Sequence, residues 1–245
     1  MKITGYEQTE KGILVFTENG QIFLQGCGEK IIRCVFTKKD RILDESPLDI
    51  RRPPDTLLEV CQEGDMLKIT APYMNLEISR NTGQITYKKT DGTLLLKQIG
   101  QELADTPVEV YSTGGEKPVI ERVKTVDGER SFVKNLVPHT DHMAYRGKLY
   151  FSWQDGEQIH GLGQGEEGIY DYRGNVQYLY QHNMRIPIPF LVSDRGYGIL
   201  ADCGSLMTFG DDARGSYLFL DTVEQMDHYF IAVTRWMKLC RALGH

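Results

Sequence analysis

Few side chains in this sequence carry the types and spacing that chemistry needs. The closest pair among the six histidines is His139 and His142, in Pro138-His139-Thr140-Asp141-His142. Their i, i+3 spacing would suit one helical turn offering two ring nitrogens for proton transfer or a metal, but Pro138 and the flanking β pattern read as a loop. Glu166 and Glu167 follow the glycines of Gly161-Leu162-Gly163-Gln164-Gly165. Paired carboxylates can divide acid and base work, yet neighbours on an extended segment point to opposite faces, so a solvated loop is expected. The same glycines are not a dinucleotide cradle, because no helix follows whose N-terminus would hold a pyrophosphate. Ser205, in Cys203-Gly204-Ser205-Leu206, lacks the second glycine of a nucleophile elbow, and Gly-x-Ser-x-Gly never occurs. No catalytic set, metal site or cofactor is therefore expected.

The elements that would position these groups read as strands. Short runs of β-branched and aromatic residues alternate with Gly, Asn and Asp turns. Gly12-Ile13-Leu14-Val15-Phe16-Thr17 and Gln21-Ile22-Phe23-Leu24 flank Asn19-Gly20, a hairpin signal that predicts a type I′ turn. Leu67-Lys68-Ile69-Thr70 and Met74-Asn75-Leu76-Glu77-Ile78 alternate apolar with polar, as half-buried strands do. Strands recur every 8–12 residues or so to about position 231, the spacing of sandwiches and barrels. Residues 40–62 and 112–130 read as loops, the first because Pro53 and Pro54 favour an extended chain. Pro187 and Pro189 suit an edge strand or a loop feeding a site.

Composition narrows the class. The chain has 245 residues, 40% of them hydrophobic, enough for one large β domain. A net charge of −6 with mixed signs argues against a nucleic-acid surface. No run of 18 apolar residues occurs that could cross a membrane as a helix, and the first residues lack a secretory pattern. The five cysteines, Cys27, Cys34, Cys61, Cys203 and Cys240, are scattered with no Cys-x-x-Cys pair. Reduced thiols in a cytoplasmic protein are expected, rather than zinc or disulfides.

One stretch carries a resemblance. Ile159-His160-Gly161-Leu162-Gly163-Gln164, then Ile186-Pro187-Ile188-Pro189-Phe190-Leu191-Val192-Ser193, then Gly196-Tyr197-Gly198-Ile199-Leu200, resemble in order and spacing the N-terminal β-sandwich of glycoside hydrolase family 31, the α-glucosidase and α-xylosidase family. Ile31 to Phe36 and Leu76 to Ile85 look like that domain's opening strands. The resemblance implies an all-β fold, a large antiparallel β-sandwich of the galactose-mutarotase-like (supersandwich) type, over residues 1–232.

In that family the sandwich precedes a (β/α)8 barrel that supplies two catalytic aspartates, in keeping with the two-carboxylate logic of retaining glycosidases. A sandwich loop leans over the barrel mouth. By position it would be Tyr180-Gln181-His182-Asn183-Met184-Arg185, with Tyr180 placed to stack on a sugar and Gln181, His182, Asn183 and Arg185 to hydrogen-bond its hydroxyls. The partner implied for the intact parent is an α-linked carbohydrate.

Here the sequence departs from the family. The nucleophile's Trp-x-Asp-Met-Asn-Glu run is absent. Trp153-Gln154-Asp155 matches its start but continues Gly156-Glu157-Gln158, where the resemblance expects an ordinary strand. Residues 233–245 form an atypical tail where an acidic lead-in to the barrel is expected, and one permitted back-translation, read in another frame, encodes such a segment. The expectation is a domain parted from its barrel, by frameshift or otherwise, and inactive alone. The alternative is a stand-alone carbohydrate-binding or mutarotase-like module, since mutarotases share this sandwich type and use a histidine with a carboxylate.

Overall fold

The computed structural model describes residues 1–233. Expectations for the tail past Val233, Cys240 included, fall outside them. Among the described residues every regular element is a strand, and all pairings are antiparallel.

One nine-stranded sheet runs in the order β1 (Ile3–Gln8), β2 (Ile13–Thr17), β3 (Gly20–Cys27), β4 (Ile31–Thr37), β20 (Met226–Ala232), β17 (Tyr197–Ala201), β16 (Ile186–Ser193) and β14 (Ile159–Gln164), with β5 (Asp55–Thr56) alongside β3. The second runs β15 (Val176–Leu179), β18 (Met207–Asp212), β19 (Gly215–Val223), β13 (Val137–Ser152), β10 (Leu94–Ser112), β9 (Ile85–Lys89), β8 (Met74–Ser79), β7 (Met66–Thr70) and β6 (Glu59–Glu63). The two pack face to face as an all-β sandwich. Period-two alternation sets the inner faces: Leu67, Ile69, Met74, Leu76 and Ile78 are fully buried while the residues between them are not. Across the core Tyr87 of β9 stacks on Phe230 of β20 at 4.0 Å, and Tyr197 of β17 stacks on the same Phe230 ring at 5.2 Å.

β3 and β4 are buried on both faces, as is the Met226–Phe230 part of their neighbour β20. Their outer face is roofed by the loop between β4 and β5, pinned by Leu43 N–H to Gln225 Oε1 (2.9 Å), Leu48 N–H to Asp202 Oδ1 (3.2 Å) and Gly28 N–H to the Pro54 carbonyl (2.8 Å).

Four local expectations need correction. The first hairpin forms, but Thr17 pairs with Gly20, so Glu18 and Asn19 are central and neither takes positive φ. Gly20 bends instead, at φ 135°, where a Cβ would lie 2.4 Å from the Thr37 carbonyl oxygen. The stretch 40–62 is not all loop, since β5 and the edge strand β6 lie in it. The excursion 112–130 enters a ribbon, β11 (Ile120–Thr125) paired with β12 (Gly128–Val133), carried on the long β10–β13 hairpin. His139 and His142 lie on β13 rather than in a loop.

Candidate functional site

The Gly-Leu-Gly-Gln segment is an irregular edge strand and not a turn. Gly161, Leu162 and Gly163 all take positive φ (98°, 60° and 91°), and the β14–β16 register shifts between Gly161 and Gly163. A Cβ on Gly163 would sit 2.0 Å from the Ile186 carbonyl oxygen, so the close approach that starts β16 requires glycine there. The proline expectation holds. β17 pairs only with Phe190 to Ser193, which leaves the Ile186–Pro189 end of β16 without a strand on that side, where missing N–H groups cost nothing.

The loop between β15 and β16 thus starts from a fixed strand end and returns to another. Tyr180 is half exposed and stacks on Tyr178, with ring centroids 6.0 Å apart, while His182 tilts against it at 6.2 Å. The Arg185 N–H closes the turn onto the His182 carbonyl (3.2 Å), with Met184 in the left-handed region between them. Tyr180 and Gln181 border one cavity, with Pro187 and Pro189. Gln181, His182, Asn183 and Arg185 line an open cleft beside it.

Arg185 has a local task. It pairs with Glu167 and donates from Nη1 to the Tyr178 carbonyl (3.0 Å), with only 11% of its side chain exposed. Glu167 therefore ties the glycine-rich segment to the loop, a role missed by reading it as a solvated group. His182 Nδ1 lies 3.0 Å from the Asn183 carbonyl, which leaves its other edge to solvent.

The remaining candidates are structural. Trp153 stacks on Phe151 (4.9 Å) and packs near Phe209, and Asp155 lies in the turn joining β13 to β14, not on the expected strand. Glu157, two residues on, is the informative acid. It is 2% exposed, and its carboxylate accepts from Tyr197 Oη (2.5 Å), Ser193 Oγ (2.5 Å) and the Gln154 N–H (2.7 Å). Burial, with Glu157 beside it, holds the Tyr197 phenol well above the usual tyrosine range. Ser205 Oγ accepts the Thr222 N–H (2.9 Å). His142 is held by Asp141 (2.8 Å) and Glu224 (3.0 Å), which push its pKa up. Among the described residues no group of three or more His, Cys, Asp or Glu side chains is placed to hold a metal, and four cysteines are free thiols.

No protein-family model matches the chain. Over 96 residues, 36% of this chain and 13% of the relative, it is 34% identical to an alpha-xylosidase of Saccharolobus solfataricus. Over 159 residues, 65% of this chain and 28% of the relative, it is 24% identical to an uncharacterized family 31 glucosidase of Pseudescherichia vulneris. The crystal structure of a family 31 α-xylosidase from a soil metagenome, complexed with xylose, superposes with a TM-score of 0.69 at 20% identity, over 94% of this chain and 32% of that one. The class defined by fold and topology is thus a two-sheet antiparallel sandwich found as part of larger glycosidases. Its similarity, as the glycine and proline stretches implied, is to the α-xylosidases and glucosidases of glycoside hydrolase family 31, of which the chain spans 13–32% of the length.

Proposed function

We propose that residues 1–232 act as the non-catalytic sandwich of an α-glycosidase, with Tyr180-Gln181-His182-Asn183-Met184-Arg185 shaping the sugar site of a (β/α)8 barrel. The observation that carries this reading is the pairing of near-complete coverage of this chain with coverage of only a third of the α-xylosidase. The loop's build supports it. An aromatic pair, Tyr178 and Tyr180, offers a stacking face, and Gln181, Asn183 and the outer edge of His182 line the cleft beside it, while the ion pair of Arg185 with Glu167 braces the loop. The two acids beside Trp153, Asp155 and Glu157, are placed for structure rather than for a retaining reaction. Glu157 is sealed among donors, and Asp155 belongs to a turn whose carbonyl accepts from Arg195 (2.8 Å).

The mutarotase-like alternative has less behind it, because both ring nitrogens of His142 face carboxylates on an exposed strand rather than a cavity. Two measurements test the proposal. The purified chain is expected to release no 4-nitrophenol from aryl α-glucosides or α-xylosides, and turnover above trace contamination would overturn its non-catalytic role. Xylose or glucose titrated into the 15N-labelled chain is expected to shift the amides of residues 180–185 and to do so less in Tyr180→Ala; silence at those amides counts against the loop.

A further inference from the structure

The long β10–β13 hairpin outruns its sheet. β9 pairs with β10 only from Leu94 to Gln98, and β19 with β13 only from Tyr145 to Phe151. Beyond those limits Thr106 to Ser112 faces Val137 to Ala144 as a bare two-stranded ribbon, and β11 with β12 extends the arm. Among the described residues β11 and β12 pair only with each other. Tyr111, Ile120, Phe132, Val137 and Met143, all on this arm, turn large apolar side chains to water. An isolated pair of strands is marginal in water, and an unpaired edge is a template for another strand.

The hydrogen bonds show which backbone groups that edge offers. The Lys134 N–H donates to the Val119 carbonyl (2.8 Å). Bonded and unbonded pairs alternate along an antiparallel ladder. Counted from Val119 and Lys134, Arg130 and Phe132 turn their N–H and C=O groups towards β11, and Glu129, Ser131 and Val133 turn theirs to the free edge.

Charge then decides how such an edge can meet its own copy, because like charges directly opposite destabilise a sheet. On β11 a two-fold centred at Glu121, Arg122 or Lys124 sets that residue on its twin, and one at Val123 sets Arg122 on Lys124 of the other copy. On β12 a centre at Glu129 or Arg130 sets like on like, and one at Phe132 sets Arg130 on Lys134. A centre at Ser131 avoids this. Ser131 meets Ser131, Glu129 meets Val133, Arg130 meets Phe132, and Gly128 meets Lys134. Ser131 is also an outward residue, so it can exchange both backbone bonds with its twin, and Glu129 can do so with Val133. The Arg130 side chain is 71% exposed and Phe132 47%, which leaves each able to form a cation–π pair across the seam, twice by symmetry.

We propose that two copies of this chain join through the free edge of β12, about a two-fold axis at Ser131, into one four-stranded antiparallel sheet. The contact is isologous and closes on itself. It does not depend on the reading of the Tyr180–Arg185 loop as a sugar site.

Sedimentation velocity of the full chain across a concentration series is expected to show a monomer–dimer equilibrium. Amide hydrogen exchange on the same samples locates the contact. The Glu129, Ser131 and Val133 amides should gain protection as the dimer forms, while those of Arg130 and Phe132, bonded to β11 in either state, should change far less. Ser131→Glu sets two carboxylates on the axis but faces Arg122 within its own ribbon, so the fold should stand while the dimer is lost. Arg130→Ala removes both cation–π contacts and should weaken dimerisation about tenfold. Should Ser131→Glu fail to fold, the alternating exchange pattern and Arg130→Ala still decide. A chain that is monomeric throughout overturns the proposal. So does a dimer whose Glu129, Ser131 and Val133 amides stay unprotected, or one that a folded Ser131→Glu leaves intact. Species that keep growing with concentration show an open head-to-tail array and overturn it too.

Discussion

Arg33 and Asp227, 194 residues apart in sequence, meet in a buried fork. Arg33 Nε donates to Oδ1 (3.1 Å) and Oδ2 (3.0 Å), and Nη2 to Oδ2 (2.5 Å), with side-chain exposures of 2% and 3%. The pair joins β4 to β20 beneath the roofing loop, where Arg33 also reaches Asp44 (2.9 Å) and the Leu43 carbonyl (3.1 Å). Burial pushes the Asp227 carboxyl up, to about 6, against the downward pull of the guanidinium. Arg33→Met should cost about 3–5 kcal/mol, because it strands a buried carboxylate, whereas Arg33→Met with Asp227→Leu should recover most of that loss. Urea unfolding of the three proteins checks it; a double variant no more stable than the single one refutes the account.

Much of the fold was legible because period-two alternation and turn residues are local signals. Leu67 to Ile78 show their inner face in the sequence itself. The Arg33–Asp227 fork was not legible, since β4 looks like any apolar strand with one charge until β20 is laid beside it. Glu157 was hidden in the same way, as its donors come from β16 and β17. At the loop, sequence order located Tyr180 to Arg185, but the tether from Arg185 to Glu167 depends on how β14 bends through three residues at positive φ. Asp202 looked like any acid after a strand because its environment is made by the distant Leu43–Pro47 loop.

His228 should make the protein acid-sensitive. It is fully buried, burial pushes its pKa down to about 4, and its one partner is Gln98 Oε1 (3.2 Å). In the unfolded chain it titrates near 6.5, so between about pH 6.5 and 4 the unfolded state binds the proton first and stability falls as pH falls, by about 3 kcal/mol at pH 4. Asp227, raised to about 6, acts in the opposite sense over nearly the same window, since its contribution is fully present below about 3.8 and fades as pH rises through 6. The diagnostic quantity is therefore the difference between wild type and His228→Gln. That difference should be flat above pH 7 and shift in favour of the variant by about 3 kcal/mol at pH 4. Parallel stability curves would dismiss the histidine as the cause.

Glu157 tests whether the turn beside β14 is held by its buried carboxylate. Tyr197→Phe removes one donor and leaves the ring stacked on Phe230, so a loss of about 1.5–3 kcal/mol is expected from the hydrogen bond alone. Glu157→Gln places an amide N–H among donors and should cost at least as much. Combining the two should cost less than the sum of the single losses, because they share one interaction. Denaturant midpoints measure all three, and strict additivity would contradict the shared bond.

Gly163 and Gly168 lie five residues apart, both at positive φ, yet they should respond very differently to alanine. At Gly168 (φ 66°) nothing lies within 4 Å of an added Cβ, so Gly168→Ala should cost only the left-handed backbone penalty, about 1–2 kcal/mol. At Gly163 (φ 91°) the Cβ would meet the Ile186 carbonyl oxygen and the Ile188 nitrogen at 2.0 and 2.7 Å, both of them backbone that cannot swing aside. Gly163→Ala must then part β14 from the start of β16, at about 2–4 kcal/mol. Because β16 is where the Tyr180–Arg185 loop lands, the same substitution should blunt the loop's response to xylose, while Gly168→Ala leaves it intact. Thermal melts and amide shifts on the two variants decide this, and equal losses in both would show that backbone strain alone, and not the approach to β16, sets the need for glycine.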